Sequence, residues 1–327
     1  MSWPAVRDNT SPFERFLLGA PEGAVDKFFS SWSPDLIMHL RSVNSNVFMG
    51  IEAYVSRAWS IERSFDRWFF HAGSFLRMLE ACDAVVSGSE AQQHLARHEF
   101  RGKDLDIYVP YHGLLRMGRW LKQQGFLYQA SGGKHLLFDA AAIMLASAAG
   151  RDFTGYPGAR FKSTVAFSTF NFVRPQTPSL KILAMDGAQV QLIAVCGDPI
   201  RFLIDNFHST GVMNYITGTH AVSLFPRSTF VDRQMYVCQD TARDASVHQA
   251  WMAKYRDRGF TIVEAEDEVP NTPEVREWCR KIGDSRTWVL PHERSDFGQC
   301  RSNETAVAFG NYSLTWVSDD EEDTGYQ

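Results

Sequence analysis

The chain has 327 residues, which is enough to bury a substantial core in one large domain or in two ordinary ones. Its composition, with 44% hydrophobic, 22% charged and 13% aromatic residues, is that of a globular protein and excludes an extensively disordered one. The formal net charge of −5 predicts no general attraction to nucleic acid or to anionic membranes, so nucleic acid is not indicated as a partner.

Membrane and secretion signals are not evident in the sequence. No apolar run approaches the roughly 20 residues that span a bilayer, and residues 1–8 lack the basic start and apolar stretch of a signal peptide. The five cysteines are widely spaced without a C-x-x-C pair, which disfavours structural zinc and a secreted disulfide framework. We therefore expect no membrane partner and an intracellular location, in the cytoplasm or the nucleus.

The first 80 residues have the pattern of short amphipathic helices. Ser33 is a plausible N-cap, with Pro34 at the first helical position. Apolar residues then recur at helical spacing, which predicts helices packed together. These residues are Leu36, Ile37, Leu40, Val43, Val47, Ile51, Val55, Trp59, Ile61, Phe65, Trp68 and Phe69. Residues 1–80 are accordingly predicted to be a helical region, which could serve simply as a structural cap.

Strand and helix patterns alternate over residues 81–230. A short strand at Val85-Val86 precedes a polar helix over residues 90–100, a strand over 105–109 that Pro110 stops, and a helix that ends at Gly125. Further strands are predicted at residues 161–173 and 180–185, the latter joined by an Asp186-Gly187 hairpin to a return strand at 190–195. The pattern predicts an α+β fold of the α/β type, a mixed sheet core flanked by helices.

The remaining chain is predicted to be an α/β extension packed on this core. It covers residues 231–317, with a helix over 245–258, a strand over 260–264 and a second helix over 273–282. Residues 318–327 contain five consecutive acidic residues and are predicted to form an acidic, disordered tail.

Two carboxylates in the predicted core strand carry the clearest chemical signal. Asp104 and Asp106 are two residues apart, so both point to one face, while Leu105 and Ile107 point into the core. Paired carboxylates are hard oxygen ligands of the kind that Mg²⁺ requires. The glycine of the Gly88-Ser89 turn would let backbone N–H groups approach a phosphate at the start of the next helix.

These segments, Val86-Ser87-Gly88-Ser89 followed by Asp104-Leu105-Asp106-Ile107, resemble the signature of the nucleotidyltransferase (polymerase-beta-like) superfamily. The resemblance implies that Gly88 and Ser89 hold a nucleoside triphosphate. It also implies that Asp104 and Asp106 are catalytic residues that bind Mg²⁺ during transfer of a nucleotidyl group to a hydroxyl acceptor.

The third acid of the superfamily pattern is replaced. Superfamily enzymes use a third carboxylate on a later strand, reached through a glycine hairpin, and Gln191 stands at that position in Gly187-Ala188-Gln189-Val190-Gln191. An amide is uncharged and cannot serve as a base, so this replacement alone could abolish turnover. Asp186, Asp198 and Asp205 are the candidate substitutes for the missing acid.

A narrower resemblance suggests a different class of function. The chain is similar to basidiomycete fungal proteins that combine this core with an F-box-like N-terminus. The segments that carry it are Pro21-Glu22, Phe28-Phe29, Ser33-Pro34-Asp35-Leu36, Leu40-Arg41-Ser42-Val43, Phe207-His208-Ser209-Thr210, Val212-Met213-Asn214 and Leu224-Phe225-Pro226-Arg227-Ser228-Thr229-Phe230. An F-box docks a Skp1-type subunit of a ubiquitin ligase, which requires exposed apolar residues at helical spacing. The alternative function is therefore a non-catalytic adaptor, unless the same residues pack on the core.

Several other motifs are weaker. His94 and His98 have the i, i+4 spacing of a metal clamp, but no nearby acid or cysteine completes the set, so exposed polar residues are expected. His208-Ser209-Thr210 lacks the surroundings of a hydrolase nucleophile, and Gly132-Gly133-Lys134 is too short for a P-loop, although Lys134 could meet a phosphate. Even Asp104-Leu105-Asp106 could be an ordinary strand whose polar face meets water.

Overall fold

The computed structural model describes residues 10–98, 104–152, 167–175, 187–237, 245–264, 279–292 and 313–315. Its α-helices are Pro12–Gly19 (α1), Glu22–Phe29 (α2), Pro34–Leu40 (α3), Ser45–Ala58 (α4), Ile61–Asp66 (α5), Ala72–Ala81 (α6), Ser89–Ala96 (α7), Tyr111–Gln123 (α8), Phe138–Asp152 (α9), Pro199–Asn206 (α10) and Ala245–Asp257 (α11). None of the described helices is both long and apolar enough to cross a lipid bilayer.

The N-terminal helices begin at side-chain caps that the sequence displays. The Ser33 hydroxyl accepts from Leu36 N and Pro34 begins α3, as predicted. Ser11 and Glu14 form a reciprocal capping box at α1. The predicted helical region 11–79 is confirmed as a series of short helices, α1 to α6.

The strands are Val85–Ser87 (β1), Asp104–Pro110 (β2), Leu127–Gln129 (β3), Phe167–Val173 (β4), Gln189–Val195 (β5), Asn214–Ile216 (β6), His220–Ser223 (β7), Gln234–Tyr236 (β8), Thr261–Val263 (β9), Cys279–Lys281 (β10), Trp288–Pro291 (β11) and Ser313–Thr315 (β12). Eight of them form one sheet in the order β11-β7-β6-β1-β2-β5-β4-β3. Only the β2–β5 pair is parallel within that sheet. The molecule therefore has the mixed α+β architecture that the sequence predicts.

One face of the sheet and the N-terminal helices share a continuous apolar core. Phe29, Ile51 and Phe75 from the helices are fully buried in the same cluster as Leu105 and Leu192 from the central strands. Burial of each such side chain contributes about 1.5–3 kcal/mol to folding, so the helices and the sheet stabilise each other.

Two predicted elements differ in the structure. The strand β5 pairs with β4 on one side and with β2 on the other, so its antiparallel partner is residues 167–173 and the predicted hairpin pairing with 180–185 is wrong. Residues 176–186 lie outside the described part of the chain. The predicted helix over 273–282 is also wrong at its described end, because residues 279–281 pair with β12 as a strand.

The C-terminal extension contributes strands to each of the three sheets of the described structure. The predicted helix 245–258 and strand 260–264 are confirmed as α11 and β9. The strand β9 pairs in parallel with β8, whereas β11 adds to the edge of the main sheet beside β7. The acidic tail, residues 318–327, lies outside the described residues.

Candidate functional site

The Gly88-Ser89 turn and the aspartate strand are in direct contact. Gly88 has φ +72° and ψ −145°, a conformation that only glycine adopts readily. Ser87 lies opposite Asp106 in the β1–β2 register, and a Cβ atom built on Gly88 would lie only 2.6 Å from Asp106 Oδ2. The turn that starts α7 at Ser89 is therefore packed against a carboxylate. Glycine is required at position 88 both for its backbone conformation and for the lack of space for a Cβ atom.

The two aspartates share one face of β2, as the alternation predicts. Asp104 is exposed and Asp106 is half-buried, whereas Leu105 and Ile107 are fully buried on the other face. The residues that the sequence singles out for metal binding and for phosphate binding, Gly88 and Ser89 included, thus meet at one place.

Gln191 occupies the position beside this pair. In the parallel β2–β5 register it lies opposite Asp106, and in the β4–β5 register it lies opposite Asn171. Asn171 Nδ2 donates to Ser131 Oγ at 3.3 Å, and Asn171 Oδ1 is buried without a hydrogen-bond partner among the described residues. An amide therefore stands next to Asp106 on β5, and a second amide stands one strand further away on β4.

None of the candidate substitutes supplies a third carboxylate here in the described structure. Asp198 caps α10 by accepting from Ile200 N, and Asp205 pairs with Arg201 on the same helix. Both follow the carboxyl end of β5, whereas Gln191 lies near its amino end. Asp186 lies outside the described residues.

The residues present fit Mg²⁺ better than they fit a metal that needs a full protein cage. Within the described ranges, no group of three or more His, Cys, Asp or Glu residues could hold a metal ion. Mg²⁺ usually keeps several waters and takes one or two carboxylates plus substrate phosphates, which Asp104 and Asp106 can supply.

Helix α11 brings a cation to this face. Burial, followed by the negative charge of Asp104, raises the pKa of Asp106 to about 6, and the Lys254 ammonium opposes that rise. Burial and the charge of Arg258 lower the pKa of Lys254, while both aspartates act against that decrease. The sequence predicts the helix but offers no signal that Lys254 faces the aspartates, because the two are separated by about 150 residues.

The raised pKa of Asp106 has a measurable consequence for stability. Since the folded-state pKa of about 6 exceeds the ordinary aspartate value of 3.8, the folded state holds the proton of Asp106 more tightly. The contribution of Asp106 to the free energy of unfolding is therefore present below pH 4 and lost as pH rises through 6. We expect Asp106→Asn to gain stability relative to wild type between pH 3.5 and 7.5, by about 2 kcal/mol. Urea titrations across this range measure the difference, and a pH-independent one would contradict the prediction.

The segments after β5 hold the turn in place. The buried Ser87 hydroxyl donates to Asn214 O at 2.6 Å. Gln92 Nε2 on α7 and Asn214 Nδ2 both donate to Gly211 O, at 3.2 and 2.9 Å. Residues 211–214, which include the Val212-Met213-Asn214 motif, therefore fix β1 and α7 beside the site.

The residues of the weaker motifs have other contacts in the structure. His94 is buried, contrary to the exposed position expected, and it is hydrogen-bonded to Ser64 Oγ at 2.8 Å; burial lowers its pKa to about 4. His98 is exposed and follows the end of α7, so the pair does not share a helix face. His208 stacks on Trp251 with ring centroids 3.9 Å apart. The Lys134 ammonium lies 5.5 Å from the centre of the Phe170 ring.

Comparison with known proteins adds no relative whose function bears on this site. The resemblance to the nucleotidyltransferase superfamily rests on the motif residues and on the arrangement of Gly88, Asp104, Asp106 and Gln191. No family model, curated protein or solved structure matches the chain.

Proposed function

We propose that the protein binds a nucleoside triphosphate together with Mg²⁺ at the face formed by Gly88, Ser89, Asp104 and Asp106. The observation that carries the proposal is the contact between the Gly88 turn and the Asp106 carboxylate, 2.6 Å from the site of a Cβ atom. A Mg²⁺ ion held by the two aspartates would lie next to a helix N-terminus, where phosphate oxygens are favoured.

The charges around the site support a polyphosphate ligand. The electrostatic coupling of Lys254 to Asp106 and Asp104 puts an ammonium group near the carboxylates. Asp104 and Asp106 would hold Mg²⁺, which supplies positive charge that neutralises phosphate when bound. Lys254 adds a second positive charge from α11. Burial and the charge of Asp104 raise the pKa of Asp106, and a bound cation would favour the ionised form of this carboxyl group.

Binding is favoured over efficient transfer. Transfer to a hydroxyl requires that the acceptor lose a proton to a base as the new bond to phosphorus forms and pyrophosphate leaves. Gln191, which lies opposite Asp106, has an amide that neither accepts this proton nor adds negative charge for a second metal ion. The proposed function is therefore Mg²⁺-dependent nucleotide binding, with turnover weak or absent.

The test is a screen of the four common nucleoside triphosphates, each with Mg²⁺, by thermal unfolding of the full chain. We expect at least one to raise the Tm in a Mg²⁺-dependent way, because a ligand that binds only the folded state stabilises it. The rise should vanish in Asp104→Asn/Asp106→Asn, since the metal ligands lose their charge.

The matched control makes the same change in net charge at two positions outside the site. Asp66→Asn/Asp83→Asn removes two exposed carboxylates and should keep the nucleotide-dependent rise in Tm. The proposal fails if no triphosphate stabilises the wild type, or if the two double variants respond alike.

A second candidate function has one specific observation in its favour. Four large apolar residues of the N-terminal helical region are exposed by 41–59%: Phe28, Leu36, Val43 and Phe48. Their neighbours Phe29, Ile37 and Val47 are buried, so the core does not use all of the apolar residues that resemble an F-box. We propose as the alternative that this exposed set docks a Skp1-type subunit.

The adaptor function is tested by binding of purified Skp1-type subunit to the full chain. Leu36→Glu/Val43→Glu should abolish binding, because two charges would enter an apolar contact. Leu127→Glu, at another exposed leucine on β3, should leave it unchanged. Absence of binding by the wild-type chain would remove this candidate.

A further inference from the structure

A basic cavity lies between the N-terminal helices and α7, apart from the aspartate pair. It has a volume of about 400 Å³, within the range of small-molecule sites of roughly 300–1,000 Å³. The permanently charged side chains that line it are four arginines and two acids: Arg57, Arg63, Arg67, Arg97, Asp26 and Glu90. In a chain of net charge −5, these groups give the cavity an excess of two positive charges.

Two of the arginines have a carboxylate partner. Arg57 pairs with Asp26 at 2.9 Å. The guanidinium of Arg67 donates to Glu90, which also accepts from Trp68 Nε1. The positive excess therefore comes from Arg63 and Arg97.

Arg97 is held in the cavity wall by neutral groups. Its guanidinium donates to the backbone carbonyl oxygens of Phe29 and Trp32 and to the Tyr54 hydroxyl, and it lies 4.6 Å from the centre of the Trp59 ring. None of these partners is a carboxylate, and the Nε atom is buried without a partner among the described residues. A half-buried charge without a counter-charge is costly, and an anion in the cavity would offset that cost.

The backbone of Arg97 adopts a left-handed conformation, which residues other than glycine rarely adopt. The residue ends α7 with φ +53° and ψ +38°, and the amide groups of Arg97 and His98 return to His94 O and Gln93 O. Glycine is usual at this position of a helix end, because a Cβ atom is disfavoured there. The neutral contacts of the guanidinium hold this strained residue, and its charge faces the cavity.

Arg63 is the second cavity arginine without a carboxylate partner within the described part of the chain. It lies on α5, is exposed, and forms no ion pair with another residue in the described ranges. Its side chain is therefore available to a ligand, and its replacement removes no contact that the fold requires.

We propose that this cavity binds the phosphate group of a small phosphomonoester, with Arg63 as the hydrogen-bond donor and Arg97 as a fixed positive charge in the cavity wall. Arginine recognises phosphate through paired N–H donors, and a phosphomonoester at pH 7 carries a charge of about −1.5 to −2, which matches the excess positive charge of the cavity. The site needs no metal ion. It does not rest on the proposed nucleotide function, because none of its lining residues is Gly88, Ser89, Asp104 or Asp106.

The experiment is calorimetric titration of the full chain with phenyl phosphate at constant ionic strength, in the presence of EDTA. We expect saturable binding in the wild type and in Asp104→Asn/Asp106→Asn, and weaker binding of benzoate, a monoanion. Arg63→Glu should weaken phenyl phosphate binding about tenfold or more, since it replaces a charged donor by a like charge. Arg15→Glu, an equal charge change at an exposed position on α1, should leave the affinity unchanged.

The second variant is Arg97→Lys, which keeps the charge but not the contacts with Phe29, Trp32 and Tyr54 that hold it in place. We expect it to weaken phenyl phosphate binding while the circular dichroism spectrum stays that of the wild type. The proposal is overturned if the wild type does not bind phenyl phosphate, or if Arg63→Glu binds as tightly as Arg15→Glu. Loss of binding in the aspartate variant overturns it as well, because the phosphate would then be bound at the nucleotide face.

Discussion

Gln191→Glu is expected to tighten the binding of Mn²⁺, a probe for Mg²⁺, by about tenfold or more, because affinity for a hard cation rises with the number of charged oxygen ligands. The substitution keeps the size of the side chain and replaces an amide with a carboxylate. Since Gln191 lies opposite Asp106 in the β2–β5 register, the new charge would stand beside the existing pair. Electron paramagnetic resonance of Mn²⁺ measures the free ion directly.

The same variant should also gain turnover if the missing acid is what limits it. Restoring one member of a catalytic group can change the rate by orders of magnitude, so we expect Mg²⁺-dependent release of pyrophosphate from a bound triphosphate to rise about 100-fold or more. Gln189→Glu is the matched control, because it adds the same charge on the same strand face, opposite Asp104. Equal gains in both variants would mean that general charge, rather than the position of Gln191, controls the metal.

Gly88→Ala is expected to lower the free energy of unfolding by about 2–4 kcal/mol, the sum of a backbone strain and a steric clash. The strain arises because alanine rarely adopts φ +72°, and the clash because its Cβ atom would lie 2.6 Å from Asp106 Oδ2. The Asp106 carboxylate would have to move away from the new Cβ atom, and this displacement should abolish nucleotide-dependent stabilisation. Urea unfolding and the thermal screen measure the two effects.

Two further variants separate the strain from the clash. Gly125 also has a positive φ, +87°, but a Cβ atom there meets nothing within 4 Å, so Gly125→Ala should cost only about 1–2 kcal/mol. In an Asp106→Ala background, the cost of Gly88→Ala should fall, because the clashing carboxylate is gone and only the backbone strain remains. A Gly88→Ala cost that is unchanged by loss of Asp106 would show that the contact with Asp106 has no energetic consequence.

Local patterns account for the parts of the fold that were predicted. The Ser33 cap, the alternation of Asp104 and Asp106 with Leu105, and the helix of residues 245–258 are confirmed because each depends on neighbours within one or two turns of chain. The pairing of β5 was predicted wrongly, since strand pairing depends on hydrogen bonds between distant segments that a local turn signal does not report.

By itself, the sequence determined the identity of the side chains and the local face on which each one lies: two aspartates on one strand face, a glycine turn before a helix, and an amide where a third acid is expected. Tertiary structure alone decided which of these meet. The register of β2 and β5 put Gln191 opposite Asp106, and the packing of α11 brought Lys254 to the same face. Folding of the N-terminal helices onto α7 likewise gathered four arginines around one cavity. Each of these contacts joins residues far apart in the chain, and long-range packing leaves no periodic trace in a single sequence.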